Sequence, residues 1–435
     1  MKQEAYFATA EELEQLGPDK IPPQMISGKH LIYSSPATLA FNSPGAEGFG
    51  VKRAGLAVPD SIMLIVAPGC CGRNTSLISS MPEYNDRFFY LMMDETDIVT
   101  GRHLKKIPKA VKEICDFCEK KPSVVMICIT CVDALLGTDM ERVCRKAEEK
   151  VDIPVRPCYM YALTREGRKP PMVHVRQSLY SLLDPRKKKG NVVNLLGFFS
   201  QLVDDCEIYD LLHQAGVRTI HEISGCKDYA EYQTMAEANF NLVLHPEARF
   251  AAEDFHNRLK IPFIELKRLY QMDKIGNQYQ ALGQVLGVSF DQEKYRAEAE
   301  AAVEHFREVC PDAAFAVGEC MNGDPFELAL ALVRYGFAVR EIYGTITAEN
   351  FVYIRKLSEL SPKTKIFSNM EPTMLYYDTS ESGVNLTIGK DALYYHPEQP
   401  GVVWNQDRQP YGYAGVRRLF EALAEAVMEQ REEKP

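Results

Sequence analysis

The 435-residue chain lacks the sequence features that mark several large functional classes. No hydrophobic run approaches the roughly 18 apolar residues of a membrane helix, and the acidic N-terminus has no apolar secretory signal. The phosphate-binding pattern GxxxxGK[ST], the dinucleotide pattern GxGxxG, the hydrolase pattern GxSxG and the zinc-protease pattern HExxH are all missing. We therefore expect a cytosolic protein that does not associate with membranes and has no nucleotide site of its own.

The chain also lacks a basic excess. Its 50 Lys and Arg residues face 60 Asp and Glu residues, which gives a net charge of −10. Nucleic acid is therefore not an expected partner. Hydrophobic residues make up 46% of the chain and charged residues 25%, as in ordinary globular proteins. This composition excludes a disordered chain, and the length favours about three domains.

Cysteine, by contrast, is plentiful, with twelve residues. Disulfides are not expected in a reducing compartment, so these residues are thiols or metal ligands. Cys128 lies in the apolar run SVVMICIT and is expected to be a core residue. Cys115, Cys118, Cys128 and Cys131 superficially match a zinc-site spacing. We discount that site because a predicted helix and a predicted strand would both have to break to surround one ion.

Short apolar runs alternate with amphipathic stretches along most of the chain, which predicts βα units around parallel sheets. SIMLIVA (61–67) and SVVMICIT (123–130) are two such predicted strands. The alternation falls into three blocks. We predict an α/β fold with three Rossmann-like parallel-sheet domains around a central cleft, spanning residues 1–185, 186–309 and 310–435.

Two local patterns predict helices near the N-terminus and near the cysteines. Thr9 and Glu12 form a capping box for a short helix in TAEELEQLG. Residues 131–150, which follow a predicted strand, are interpreted as a turn followed by one helix.

Two cysteine-bearing turns directly follow predicted strands. PGCCGR places Cys70 and Cys71 after the first strand, and Cys131 follows the strand 123–130. Sites in open α/β sheets lie outside the carboxyl ends of the strands, and a helix N-terminus stabilises a thiolate. Two such loops from one sheet can bring thiolates to a common point. Soft thiolates suit iron–sulfur clusters or zinc.

These turns resemble the cluster motifs of nitrogenase component 1 and its relatives, which include cofactor-scaffold paralogues and light-independent protochlorophyllide reductase subunits. PGCCG resembles the family's PxGCG-like turn, matching at Cys71 or, with a one-residue shift, at Cys70. ITCVDALLGTD resembles [ST]-[ET]-C-x5-G-D-[DN] and keeps the cysteine (Cys131), the glycine and the last acid. VNLLGFF, SGCKDYAEY with ANFNLVLHPEARF, and QPYGYAG extend the resemblance over about residues 30–430.

The resemblance implies an iron–sulfur cluster of four irons or more, ligated by Cys71 and Cys131, with Cys70 as a third candidate. The family's first cluster cysteine has no counterpart, because the matching loop AFNSPGAEG offers Ser43 as the nearest residue. A cluster with two or three thiolates from this chain then requires further ligands from a paralogous or identical second subunit, so the cluster would lie at the subunit interface. An ATP-hydrolysing iron protein is the implied electron donor.

The chain departs from nitrogenase at the cofactor ligands. The position of the cofactor cysteine is matched by His245, and that of the cofactor histidine by Gly412 or a gap. The iron–molybdenum cofactor and nitrogen fixation are therefore not expected, while a second metallocofactor stays open. His245 ends the predicted strand NLVLH, where it is our candidate catalytic proton donor or a metal ligand. The alternative is a histidine that caps a strand end by hydrogen bonding.

The function implied by the resemblance is that of a nitrogenase-like oxidoreductase subunit. Such a subunit takes low-potential electrons from the iron protein and reduces a substrate that the sequence does not identify. One alternative is a scaffold on which a metallocluster is built and then handed on. Another is a non-catalytic structural subunit that completes the cluster shell of a paralogue.

Overall fold

The computed structural model describes residues 4–26, 50–69, 81–159 and 169–433. Cys70, Cys71 and Ser43 lie outside these residues, and of Cys131 only the backbone is described. The strands within the described ranges are β1 (Phe7–Thr9), β2 (Ile62–Ala67), β3 (Phe88–Met92), β4 (Val125–Ile129), β5 (Val155–Tyr159), β6 (Val192–Leu196), β7 (Thr219–His221), β8 (Phe240–Val243), β9 (Phe263–Glu265), β10 (Ala314–Val317), β11 (Ala338–Tyr343), β12 (Lys365–Phe367), β13 (Leu386–Ile388) and β14 (Gly401–Val402).

The helices between the strands vary from one turn to six turns. They are α1 (Ala10–Leu16), α2 (Val51–Ala54), α3 (Glu95–Thr100), α4 (His103–Phe117), α5 (Cys131–Leu135), α6 (Met140–Glu148), α7 (Pro171–Tyr180), α8 (Glu207–Gln214), α9 (Tyr229–Gln233), α10 (Arg249–Asp254), α11 (Met272–Leu286), α12 (Glu293–Val309), α13 (Pro325–Arg334), α14 (Phe351–Leu360), α15 (Lys390–Tyr395) and α16 (Gly412–Glu433). None of the helices in the described part of the chain combines the length and the apolar character that a membrane span requires.

The strands form three sheets. The first has the order β3-β2-β4-β5 and the second β7-β6-β8-β9, and both are parallel throughout. The third has the order β1-β12-β11-β10-β13-β14, in which β1 runs antiparallel to β12. The predicted α/β class with three mainly parallel sheets is confirmed. The antiparallel edge strand was not expected.

The chain divides into two compact units. The first unit consists of Phe49–Gln201 and Gly216–Lys267, and it contains the first two sheets. The second unit consists of Met1–Gly48, Leu202–Ala215 and Arg268–Pro435, and it contains the third sheet. The division into three domains that the sequence indicated stays a prediction.

The cores explain why the strand runs are so apolar. Every residue of β2 and of β4 is buried, because both faces of the first sheet are covered. Met63 and Met126 face a core that also contains residues of the second sheet, whereas Leu64 and Ile127 face a separate core beneath α4 and α6. The carboxyl ends of β2 and β4 are therefore fixed by the two cores that pack against the sheet.

The region 131–150 differs from the prediction of a turn and one helix. The helix begins at Cys131, ends at Leu135, and a second helix starts at Met140. Gly137 between them has φ +65°, a left-handed conformation that glycine adopts without steric strain. The capping box of Thr9 and Glu12 at α1, by contrast, is confirmed.

Candidate functional site

The two predicted cysteine loops begin at neighbouring strand ends in the first unit. β2 and β4 are adjacent and parallel, with Val66 opposite Ile129. Adjacent strands lie about 4.8 Å apart, so Ala67 and Thr130 start their loops side by side. The loop after β2 leads to the predicted ligands Cys70 and Cys71, outside the described residues, and that after β4 leads at once to Cys131.

The residues that follow Cys131 in the matched motif have structural tasks. Gly137 makes the left-handed turn. The Thr138 hydroxyl donates to Asp133 Oδ1 at 2.9 Å, and the Asp139 carboxylate caps α6 by accepting from the Arg142 N–H at 3.0 Å. A cap of this kind is worth about 1 kcal/mol. The glycine and the last acid of the motif therefore have structural roles.

A buried His–Asp pair anchors the short helix that starts at Cys131. His103 Nε2 lies 2.9 Å from Asp133 Oδ1, and the two side chains are 1% and 0% exposed. The other ring nitrogen, Nδ1, lies 3.0 Å from the carbonyl oxygen of Asp97. Both ring nitrogens thus face oxygen acceptors. The pair needs two protons on the ring, or one ring proton and a protonated Asp133.

Two polar atoms beside Cys131 are buried without a partner. Among the described residues, Thr130 Oγ1 and Asp133 Oδ2 make no hydrogen bond, although each such atom costs about 1–3 kcal/mol. A hydroxyl can donate to a sulfur, and hydrogen bonds to cluster sulfurs tune the potential of iron–sulfur centres. The Thr130 hydroxyl therefore fits a thiolate-bound cluster at this position. The Asp133 oxygen instead needs a proton donor.

A cleft of about 730 Å³ lies beside this region in the first unit. Asp133 and Thr138 line it together with the polar side chains Arg156, Lys169 and His174. The mixed charges suit a polar ligand better than an apolar one. Apart from the motif itself, no sequence pattern predicts this cleft.

His245 lies where it was predicted, just beyond the carboxyl end of β8. Its Nδ1 accepts a hydrogen bond from the Glu247 N–H at 3.3 Å and caps the 3-10 turn Pro246–Ala248. The side chain is 25% exposed and packs edge-on against Phe198 at 5.8 Å. Because Nδ1 is an acceptor, the proton of the neutral ring sits on Nε2. The capping alternative is thus present, and the catalytic role of His245 stays a prediction.

The backbone next to His245 is held by a glycine and an arginine. Gly197 follows β6 with φ +140°, and a Cβ there would lie 2.8 Å from the His245 backbone nitrogen. Arg176, 3% exposed, donates to the Gly197 carbonyl from Nε at 2.8 Å and from Nη2 at 2.6 Å. Its Nη1 also donates to Glu247 Oε2 at 2.7 Å. The glycine of VNLLG is therefore required for His245 to approach β6.

In the second unit, position 412 has no room for a side chain. Gly412 has φ +58°, and a Cβ there would lie 1.9 Å from Glu207 Oε1 and 2.3 Å from the Tyr279 hydroxyl. Glu207 accepts from Tyr279 at 2.7 Å and from the Tyr413 and Ala414 N–H groups at 2.6 and 3.1 Å. Burial raises the pKa of Glu207, against these hydrogen bonds. The Glu207 carboxylate, which caps α16, thus occupies the space that the Cβ of a histidine at position 412 would need.

A family model described as "Nitrogenase component 1 type Oxidoreductase" matches residues 47–428. The chain belongs to this family. The NifE cofactor biosynthesis protein of Nostoc sp. strain PCC 7120 is 26% identical over 57% of this chain, and that of Klebsiella pneumoniae is 28% identical over 51%. This chain spans about half, 53%, of each of those proteins. The NifE protein of Sinorhizobium fredii is 25% identical over 91% of this chain and 83% of its own length.

The solved structure titled "Nitrogenase Cp1 at pH 6.5" is similar, with a TM-score of 0.72. The similarity covers 95% of this chain and 97% of that chain at 18% sequence identity. At this identity the likeness supports the component 1 fold alone.

Other cysteines occupy structural positions. Cys128 is fully buried in β4, as predicted, and lies opposite Cys158 of β5. α4 continues unbroken through Cys115, and Cys118 forms its C-cap. In the described ranges no three His, Cys, Asp or Glu side chains converge as a metal site.

Sequence reasoning missed three residues that support the candidate site. His103 and Asp133 are 30 residues apart, and Arg176 acts on a carbonyl 21 residues away. Only Asp133 gave a local signal, because it is a charged residue inside the otherwise apolar stretch CVDALL.

Proposed function

We propose that this chain is an iron–sulfur subunit of a nitrogenase component 1-type complex. Cys131 and Cys71, with Cys70 as the alternative or third thiolate, would hold the cluster at a seam with a paralogous or identical subunit. The observation that supports this proposal is the register of β2 and β4, whose loops start side by side. The orphaned Thr130 hydroxyl next to Cys131 supports it further.

In this proposal Cys131 and Cys71 would hold a cluster that would supply one-electron transfer, and the electrons would come from an ATP-hydrolysing iron protein. The chain's own residues position the ligands. The His103–Asp133 pair fixes α5 and therefore the backbone of Cys131, and the Thr130 hydroxyl would donate to a cluster sulfur. Energy coupling belongs to the partner, because the sequence has no phosphate-binding loop.

His245 is the proposed proton donor to the reduced substrate. Its Nδ1 accepts from the backbone, which fixes the ring proton on Nε2. The Arg176 side chain donates to both Glu247 and the Gly197 carbonyl and so restricts the backbone segment that carries the His245 ring. Replacing His245 with Ala is expected to abolish turnover while cluster content is retained. Full turnover in that variant would refute the role.

A scaffold on which a metallocluster is built and handed on is the second candidate. The occupied space at Gly412 favours it, because a chain without that ligand would release a cofactor more readily. The relatives named above carry the name of cofactor biosynthesis proteins, which also favours it. Turnover with iron protein, ATP and reductant distinguishes the enzyme from the scaffold. Transfer of a cluster to an apo-acceptor distinguishes the scaffold from a structural subunit.

The test of the cluster is anaerobic purification with iron and sulfide analysis and EPR. Cys131→Ala and Cys71→Ala are expected to lose iron, sulfide and visible absorption, and Cys70→Ala shows whether it is a ligand. Cys310→Ala is the matched control, because Cys310 is a half-buried thiol at the end of α12. If iron and absorption are unchanged in both Cys131→Ala and Cys71→Ala, the ligand assignment is wrong.

A further inference from the structure

Four polar side chains converge inside the second unit, away from every residue discussed above. Glu341 and Tyr343 lie two residues apart on β11 and so share one face of the strand. Tyr377 follows the 3-10 turn Pro372–Tyr376, and His396 follows α15. Glu341, Tyr343 and His396 are at most 3% exposed, whereas Tyr377 is partly exposed.

The four polar atoms form a closed tetrahedron. Glu341 Oε2 lies 2.7 Å from the Tyr343 hydroxyl, 2.5 Å from that of Tyr377 and 3.1 Å from His396 Nε2. The two hydroxyls are 2.9 Å apart, and His396 Nε2 lies 3.0 Å from Tyr343 and 2.8 Å from Tyr377. All six separations are thus between 2.5 and 3.1 Å. We call these four side chains the tyrosine cage.

The tyrosine cage has more contacts between polar atoms than it has protons to make them hydrogen bonds. Glu341 Oε2, each hydroxyl and the imidazole Nε2 supply at most one proton each. At most four protons serve the six contacts, so at least two pairs of electronegative atoms face each other without a hydrogen. A cation at the centre would satisfy all four atoms at once.

The charge of the cage selects the cation. Among the described residues, the basic side chain in contact with Glu341 is His396, and the surrounding core is apolar. A buried charge needs compensation. One carboxylate and two phenolates carry three negative charges, which a trivalent ion balances with neutral His396 as the fourth ligand. Phenolate oxygen and imidazole nitrogen are both established ligands of iron.

We propose that the tyrosine cage binds one ferric ion. On entry the ion displaces the hydroxyl protons of Tyr343 and Tyr377 to solvent, and the imidazole proton moves to Nδ1 of His396. Tetrahedral ligands about 2.0 Å from a metal lie about 3.3 Å apart. Each atom therefore has to move outward by about 0.3 Å. Tyr377, the partly exposed member, lies on the entry side.

The test is titration of the full chain with ferric nitrilotriacetate. One ion per chain and a visible phenolate-to-iron charge-transfer band are expected, with tyrosinate ring vibrations in the resonance Raman spectrum. These vibrations separate the site from any iron–sulfur cluster, which has no phenolate. Cys131→Ala is expected to keep them, so the proposed cluster and the cage fail independently.

Tyr377→Phe keeps the ring and removes one of the two phenolates, so the band is expected to weaken and the affinity for iron to fall. Tyr376→Phe, an exposed neighbour on the chain, is the matched control and is expected to keep the band. Wild-type protein that shows no tyrosinate vibrations overturns the proposal whether or not a variant folds. A band of unchanged position and intensity in Tyr377→Phe also overturns it.

Discussion

Replacing His103 with Ala tests how the chain holds the helix that begins at Cys131. The substitution removes the imidazole that lies 2.9 Å from Asp133 Oδ1 and 3.0 Å from the Asp97 carbonyl. Among the described residues, Asp133 then keeps the Thr138 hydroxyl on that oxygen and has no partner on its other oxygen. A carboxyl group that is 0% exposed is left without its imidazole partner.

The expected cost follows from this burial. Removing one partner of a buried ion pair destabilises a protein by about 3–5 kcal/mol. Asp133→Ala leaves one ring nitrogen of His103 unpaired, which costs about 1–3 kcal/mol. The double variant leaves neither an unpaired carboxylate nor an unpaired ring. It is therefore expected to be no less stable than His103→Ala alone, with a coupling energy of about 2 kcal/mol.

Urea unfolding followed by circular dichroism measures the free energy of unfolding of these three variants. Iron analysis of anaerobic samples shows whether Cys131 can still serve as a cluster ligand. His305→Ala, at an exposed position of α12, is the control and is expected to change stability by about 0.5 kcal/mol or less. Single-variant effects that add within about 0.5 kcal/mol would show that the pair does not act as a unit.

Three further substitutions test other parts of the chain. Gly412→Ala is expected to lower stability by roughly 3 kcal/mol, because it strains a left-handed backbone and displaces Glu207; an unchanged thermal transition would contradict this. Arg176→Met removes the donors to the Gly197 carbonyl and is expected to cost roughly 2–4 kcal/mol in urea unfolding; a change below about 0.5 kcal/mol would count against the clamp. Burial raises the pKa of Glu327 from 4.5 to about 7, so its contribution to stability is full below the unfolded pKa and is lost as pH rises through the folded one. Relative to wild type, Glu327→Gln should therefore gain about 3 kcal/mol between about pH 4.5 and 8, and parallel stability curves would refute this.

The strands of the first sheet were predictable because they are buried on both faces. The six residues of SIMLIVA that form β2, Ile62–Ala67, include no polar residue to mark an exposed side. The break at Gly137 was less evident, because a glycine near a helical pattern is compatible with either a kink or an end.

β1 could not be predicted from its own residues. Phe7–Thr9 is too short to show alternation, and its partner β12 lies about 360 residues away. The capping box at Thr9 indicated the helix that follows but gave no information about a strand.

Residues of the candidate site that lie within one sequence motif could be predicted. Contacts between elements that are distant in the sequence could not. The positions of Cys131 and His245 after strands were predictable because each follows an apolar strand run directly, and their roles stay predictions. The tyrosine cage joins a strand, a loop and a helix end, and only the spacing of Glu341 and Tyr343 on β11 is visible in the sequence. The contacts of Tyr377 and His396 come from tertiary packing alone.

The pairing of β1 with β12 has a consequence for biosynthesis. The ribosome releases Phe7–Thr9 early, whereas Lys365–Phe367 emerge only after most of the chain has been made. Until then, the first segment has no partner strand, and β12 has an open edge whenever that segment is cleaved or blocked. Open strand edges recruit other chains. Proteolysis near the amino terminus should therefore cause aggregation that originates in the carboxyl-terminal sheet.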